Sequence, residues 1–498
     1  MKLEIIIGLE IHLQIKTKSK MFCSCANVSE EVEPNTNICP ICLGHPGTLP
    51  VVNKEAVRLG VMMSLALDCR INKQSEWARK NYFYPDLAKG YQITQFEEPL
   101  AEDGHLTITT KEGLRRINIT RLHLEEDAAK NLHFKDKTLL DFNRAGTPLI
   151  EIVTEPDFRT PQETKIFLQE LRLLARYLKV SAAEMEKGQL RCDANISLKT
   201  AGEDKLYPKT EIKNLNSFRA VEKALEYEVK RQTDLWQKNT PVKEQSTRGW
   251  DEQKQQTMEQ RDKEESADYR YFPEPDLLPL EFTQSQVKEI KARLVELPWD
   301  KRERLQEEYA LTDINAKIIT GDPQVANYFE KVMMESRTWL ESLESVVGDS
   351  DQIWEQNKKR LSKLVNGWLT SELFKLMNLA DQSITEIRIT PENFAEFISL
   401  IYEGRINSSA AQVVLKEMFK TGKDPSDIME DKNLGQVDDL SQLSEVVDQI
   451  LKKYPAEAES YKKGKTVLIK FFIGAVMKET KGKANPQRVE EILKEKLG

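Results

Sequence analysis

Two sets of side chains in this sequence are spaced for chemistry: thiols near the N-terminus, and carboxylates set into apolar strands. Cys23 and Cys25 are followed, after thirteen intervening residues, by Cys39 and Cys42. Two close thiolate pairs can complete one tetrahedral shell around Zn2+, and Pro40 and Gly44 suit the tight turn of a knuckle. A closed four-sulfur shell leaves no position for substrate, so such a zinc would be structural. The competing reading is four free thiols in a loop. Cys69 and Cys192 lie on apolar parities and are expected to be small core residues.

The carboxylates interrupt strand-like alternation. Glu10 shares a face with His12, Glu151 breaks the run Leu149, Ile150, Ile152, Val153, and Asp193 alternates with Cys192 and Ala194. Glu211 stands between Lys209 and Lys213. In the run from Leu122 to Ala128, the apolar Leu122 and Leu124 put His123 and Glu125 on the polar side, which favours Glu125 over Glu126 as a ligand. Ionised acids on half-buried sheet faces need compensation, and oxygen-seeking Mg2+ supplies it. Taken singly, each acid reads equally well as salt-bridged or exposed; only convergence in space makes a site.

Nucleotide chemistry would have to take an uncommon form. The chain has no G-x-x-x-x-G-K-[ST] loop, no strand followed by G-x-G-x-x-G and no H-E-x-x-H. Any ATP would be held by carboxylate-bound Mg2+ and by basic side chains on a sheet, with Arg144, Lys199 and Arg270 as phosphate partners. His45, His105 and His133 read as turn or surface residues.

The elements that must position these groups follow from periodicity. Leu3 to Ile15 alternates as one long half-buried strand, and similar alternation recurs at 106–108, 117–125, 149–153, 190–198 and 208–214. Helical patterns fall at 54–67, 161–178 and 217–237. Beyond Pro279 the texture becomes helical, and Gly422 and Pro425 mark a linker. An α+β chain of three domains is expected: a sheet-rich 1–292, a helical 293–424 and a small helical tail 425–498.

Composition fits a globular protein, with 39% apolar and 31% charged residues in 498. No apolar run nears the roughly 20 residues of a membrane span, and no signal pattern opens the chain. Six cysteines are too few for a disulfide framework, which points to the cytosol; an organellar form stripped of its transit peptide would read the same. The net charge of -8 argues against a generally basic surface, yet Lys462, Lys463, Lys465, Lys470, Lys478, Lys481 and Lys483 face a single acid, Glu479, in their stretch. That cluster is either a phosphate-backbone surface or a solvated helix face.

Long motifs then resemble one family: GLEIHLQ at 8–14, CPICLGHPGTLPVVN at 39–53, KNYFYPD at 80–86, KGYQITQ at 89–95 and RLHLEEDA at 121–128. DFNRAGTPLIEIVTEPD at 141–157, RCDANISL at 191–198, KTEIKNLNSF at 209–218, DYRYFPEPDL at 268–277 and TKGKANP at 480–486 do so as well. The chain is similar in nearly its whole length to the B subunits of the aspartyl/glutamyl-tRNA amidotransferases. The resemblance implies an antiparallel-sheet cradle like the catalytic part of glutamine synthetase, a helical domain, and a tail that contacts tRNA. It implies ATP-dependent phosphorylation of the side-chain carboxylate of Glu-tRNA(Gln), Asp-tRNA(Asn) or both. Amidation would follow, with ammonia from glutamine hydrolysed by an amidase-type A subunit, in a heterotrimer completed by a small C subunit.

Matched motif by motif, Glu10, His12, Glu125, Glu151, Asp193 and Glu211 resemble the Mg2+ ligands, the first four at the chemistry, and Lys80 and Tyr82 the ammonia route. Lys462, Lys463, Lys465, Lys478, Lys481 and Lys483 would meet the tRNA. Ala88, Ala129, Gln260 and Ala475 depart from the family's usual residues, and the helical part is longer than usual around 339–360. Two rivals remain: a tRNA-binding scaffold whose partner does all the catalysis, and a ligase acting on a free amino acid.

Overall fold

Leu3–Gln14 becomes a central strand because its odd positions are uniformly apolar, and Ile7, Ile11 and Leu13 are completely buried. The computed structural model describes residues 2–28, 32–260, 269–342, 349–435, 440–480 and 484–498. The chain divides into two compact units, Met1–Leu297 and Pro298–Gly498.

In the first unit, Leu3–Gln14 lies between Leu190–Thr200 and Pro148–Thr154 in a nine-stranded sheet. Beyond Leu190–Thr200 come Thr210–Lys213, Ser246–Asp251 and Gln256–Glu259. Beyond Pro148–Thr154 come Gly113–Glu126, Ala101–Thr110 and Arg70–Ile71. The antiparallel cradle implied by the resemblance contains one parallel pair, Thr210–Lys213 with Ser246–Asp251. The reason is the helix Phe218–Gln237 between them, since a parallel pair needs such a crossover. This helix and Pro161–Tyr177 bury Val221, Leu225, Phe167 and Leu171. Thr160 and Glu163 close a capping box at the start of one, and Ser217 caps the other.

A smaller antiparallel sheet of Phe272–Pro273, Ala78–Asn81 and Tyr91–Thr94 is fastened to Gly113–Glu126 by side chains. The Gln95 side-chain carbonyl accepts from Leu124 N at 2.9 Å, and Glu126 Oε1 accepts from Ile93 N at 3.0 Å.

The second unit is helical and has two apolar cores. One gathers residues from Leu305 to Met429; the other joins Leu443, Val447, Phe472, Val476, Val489 and Leu493. Gly422, at φ 73°, ends the helix Ser408–Thr421, and Pro425 opens Pro425–Asp431, whose Ile428 and Met429 still belong to the first core. Of the lengthened stretch, 343–348 lie outside the described residues; Leu340, Ile353 and Trp354 are buried in that core, and the Arg337 guanidinium lies 5.5 Å from the Trp354 ring centroid. Among the described residues, no helix is long and apolar enough to cross a membrane.

Candidate active site and cysteine knuckle

Strand register decides which of the polar groups can meet. Glu10 stands opposite Val153 on one side and Asp193 on the other; His12 stands opposite Glu151 and Arg191. Glu151 in turn faces His123. Because side chains alternate across a strand, these groups share the face turned away from the two covering helices. His12 Nε2 lies 3.4 Å from Glu125 Oε1 and 3.3 Å from Glu151 Oε2. His123 Nε2 reaches the same Glu151 oxygen at 3.3 Å and Glu125 Oε2 at 3.9 Å. Ligand atoms of Glu10, His12 and Glu151 form one group that could hold a metal ion, and those of His123, Glu125 and Glu151 form another.

Glu125 is only 2% exposed and Glu151 5%, so charge on this face has little water to screen it. Burial pushes the Glu10 carboxyl upward, and the negative Glu151 adds to this. For Glu151, burial acts upward but is outweighed by His123 and by the His12 hydrogen bond, which hold it well below the carboxylate range. His12 is pulled down by burial and pushed up more strongly by Glu151, Glu125 and Glu10, to about 9. Two imidazoles therefore balance acids that would otherwise repel one another. The His123 Nδ1 has no hydrogen-bond partner, a buried polar atom aimed at no protein acceptor.

Asp193 and Glu211 lie on the same face, but a lysine joins them: Lys213 Nζ is 2.8 Å from Asp193 Oδ2 and 3.0 Å from Glu211 Oε1. An ammonium thus occupies the position between two acids where the sequence suggested a metal cation. Thr247 Oγ1 donates to Glu211 Oε2 at 3.2 Å.

Lys80 sits 4.8 Å from the Tyr269 ring centroid; burial works against its charge, but Glu125, Tyr271 and Glu151 outweigh it and keep the ammonium protonated. Burial pushes the Tyr82 phenol upward, and its ring meets Tyr269 edge-on at 5.9 Å. These two residues therefore border the acids from the smaller sheet.

Of the three expected phosphate partners, Arg144 and Lys199 are not gathered here. Arg144 spends its guanidinium on the carbonyls of Ala128 and Ala129, at 3.0 and 2.7 Å, and on Asp127. Lys199 donates to Glu203 O at 2.8 Å and lies six residues from Asp193, roughly 20 Å along an extended strand. Arg270 is exposed beside the smaller sheet. Besides Lys80 and Lys213, the basic side chains Lys205, Lys209 and Lys243 line a cleft of about 860 Å³ that Glu10 and Gly8 also line.

His123 is the site residue that sequence reasoning missed. Its parity with Glu125, which sets the ring on the polar face, was the available signal; its pairing with Glu151 needed the register. Glu126 points the other way, its Oε1 taken by Lys89 and by Ile93 N. Ala129, where a glycine would give extra freedom, is not among the residues with left-handed backbone, so alanine is accommodated.

The four cysteines of the N-terminal loop also converge, their sulfurs all within 4.8 Å of one another. A tetrahedral zinc with bonds of about 2.3 Å would draw them to about 3.8 Å. Cys39 N donates to Cys42 Sγ at 3.2 Å, and the buried Lys20 ammonium lies 3.8 Å from the same sulfur. A hydrogen bond from Cys23 draws the Cys42 thiol down to about 5 against the effect of burial, while burial pushes Cys25 up to about 11. Asn35 and Asn37 tie the loop to Asp141 and Asn143. Of the tail lysines, Lys462, Lys463, Lys465 and Lys478 are exposed; Lys481 and Lys483 lie outside the described residues.

A sheet face that converges buried acids and imidazoles beside a basic cleft belongs to an enzyme of mixed α and β architecture. The GatB/GatE catalytic domain model matches residues 5–288, and that of the GatB domain matches 351–497. The chain is 45% identical over 497 residues to the B subunit of the aspartyl/glutamyl-tRNA(Asn/Gln) amidotransferase of Persephonella marina, covering 100% of both. It is 44% identical over 498 residues to that of Thermotoga maritima, covering 99% of this chain and 98% of the other. The chain belongs to the GatB family, the catalytic B subunits of the glutamine-hydrolysing aminoacyl-tRNA amidotransferases.

Proposed function

We propose that this chain uses ATP to phosphorylate the side-chain carboxylate of Glu-tRNA(Gln) or Asp-tRNA(Asn) and then replaces the phosphate with ammonia. The observation that supports this is the convergence of Glu10, His12, Glu125 and Glu151 at the edge of the basic cleft. Ile6, Leu206, Tyr207 and Val242 offer apolar walls for a base, Gly8 leaves room at the floor, and Lys205, Lys209 and Lys243 can meet phosphates.

Mg2+ ions held by the acids would offset the charge of ATP against the substrate carboxylate and orient the γ-phosphate. The substrate oxygen attacks that phosphorus and ADP leaves. Ammonia then attacks the acyl carbon, the carbon–oxygen bond breaks, and phosphate departs with one oxygen of the original carboxylate. Lys80 and Tyr82 would border the ammonia's approach, with Lys80 holding a fixed positive charge near the reacting carboxylate. Carboxylate-labelled [18O]Glu-tRNA tests the sequence of steps: one 18O is expected in the released phosphate, and unlabelled phosphate would rule out the acyl phosphate.

The first unit serves in this reading as a cradle like the catalytic part of glutamine synthetase, with a structural zinc in the cysteine knuckle. In the same reading the helical core from Leu305 to Met429 carries a C-terminal tail for tRNA, and an amidase-type A subunit and a small C subunit complete a heterotrimer. Replacing Lys462, Lys463 and Lys465 together by Glu should weaken tRNA binding. It should also flatten the dependence of log K on log[salt] by roughly 0.7 to 0.9 per lost phosphate contact, as filter binding at several salt concentrations would register. An unchanged slope would place the tRNA elsewhere.

His12 makes metal binding pH-dependent. With its imidazole raised to about 9, the metal-free ring carries a proton at pH 7 that must leave before Nε2 can coordinate. Mg2+ affinity should rise with pH and level off above about 9, with about one proton released per cation at pH 7. Calorimetry in buffers of different ionisation enthalpy measures that release; none would mean that His12 stays outside the metal shell.

A further inference from the structure

The stretch from Lys89 to Gln95 and the second acid of the Glu125–Glu126 pair have no part in the chemistry above, yet they are among the most tightly held groups of the first unit. Lys89 forms an ion pair with Glu126, which is 4% exposed. Glu126 Oε1 also accepts from Ile93 N at 3.0 Å, and its carbonyl accepts from Gln92 Nε2 at 2.7 Å. On the other side of Lys89 lies the cysteine knuckle. Gly44 has φ +68°, and a Cβ there would come within 2.5 Å of Lys89 Cγ and 3.0 Å of its Cα, so the knuckle backbone rests directly on this lysine. Its ammonium also lies 5.8 Å from the ring of Phe22, the residue before Cys23.

The strand that Lys89 leads into touches the site twice. Thr94 Oγ1 is 3.2 Å from Glu125 Oε2, and Gln92 is the register partner of Lys80. Each contact fixes a group that must be placed precisely for phosphoryl transfer or ammonia attack.

We propose that Lys89 is a positioning residue that couples the cysteine knuckle to the catalytic face. The knuckle holds the lysine, the lysine holds Glu126 and the strand Tyr91–Thr94, and the strand sets Glu125 and Lys80. The dependence on metal rests on the zinc reading above; the role of Lys89 does not.

Amide hydrogen exchange on the full-length chain tests the coupling at residues 78–81 and 91–94, comparing wild type, Lys89→Met, Lys89→Arg and Glu126→Gln, zinc-loaded and chelator-stripped. Stripping should speed wild-type exchange in both strands roughly tenfold, and Lys89→Met should do the same with its zinc retained. In Lys89→Met, stripping should then add little, because the two changes break one chain of contacts. Lys89→Arg should stay near wild type. In the assembled enzyme supplied with ammonium, Lys89→Met should lower kcat for amidation while KM for ATP holds.

Unchanged exchange in Lys89→Met, or fully additive effects of mutation and stripping, would overturn the proposal. Should Lys89→Met not fold, Glu126→Gln carries the same expectation, since it removes the charge and keeps the shape. A wild type without zinc would remove the metal dependence alone, and the exchange of Lys89→Met would then decide the positioning role.

Discussion

Glu151→Ala should reduce aminoacyl-tRNA-dependent ATP turnover by about 10³-fold or more, the scale at which one electrostatic anchor in a dry site contributes roughly 4 kcal/mol to the transition state. Glu151 is singled out because both imidazoles and the Glu10 carboxylate meet it. Removing it takes an oxygen ligand from both candidate metal groups and leaves His12 with weaker reason to hold a proton. The assay is ADP release by the assembled enzyme with charged and uncharged tRNA. Retained turnover would move the kinase step to a partner chain and leave this chain the scaffold that was the rival reading.

The same substitution has a pH signature in the metal-free protein. In wild type the folded state raises His12 from an ordinary 6.5 to about 9, so its contribution to stability is complete below about pH 6.5 and disappears as pH rises through 9. Glu151 acts in the opposite sense: held below its usual value, it contributes above about pH 4.5 and is lost as acid protonates it. Wild-type melting temperature should therefore decline between pH 6.5 and 9, and Glu151→Ala should flatten that decline. Calorimetric scans in the presence of a chelator give the comparison.

What could be read from the sequence was parity. Alternation of Leu3 to Ile15 put Glu10 and His12 together on one face, and alternation at Leu122 and Leu124 separated Glu125 from Glu126; the structure places all four on those sides. Parity does not give position along a strand. Lys199 has the face of Asp193 but lies far down the same strand, and Arg144 follows a buried turn where backbone carbonyls consume its donors. Nor does parity count partners: Lys213, which appeared only as a neighbour of Glu211, balances two acids at once. His123 shows the converse. Alone it resembles any other histidine, and it became part of the site only when pairing with Pro148–Thr154 brought Glu151 opposite it. The parallel strand pair was equally hidden, because direction follows from the route of the helix Phe218–Gln237 and not from local alternation.

Cys39→Ser with Cys42→Ser should abolish zinc binding and lower the melting temperature by roughly 10 °C, since metal binding to a knuckle of this kind is itself folding free energy. The loop from 32 to 53 leaves apolar side chains in water, Leu49 at 62% and Val51 at 69% exposed, and it is held by hydrogen bonds: Asn35 and Asn37 to the turn at Asp141 and Asn143, Lys20 to the Asn37 carbonyl, and Val51 and Asn53 to Phe22 and Met21. Without metal, four sulfurs within 4.8 Å of one another beside a fully buried Lys20 ammonium form a crowded polar cluster in place of a closed shell. Cys192→Ser provides the contrast, because that thiol is buried in the large sheet away from the other sulfurs and its loss should leave zinc content untouched. Elemental analysis of the purified chain and differential scanning calorimetry together decide the matter. One zinc per chain in wild type and Cys192→Ser, with none in the double variant, is the expected pattern, and equal melting in all three would reduce the cysteines to free thiols in a loop.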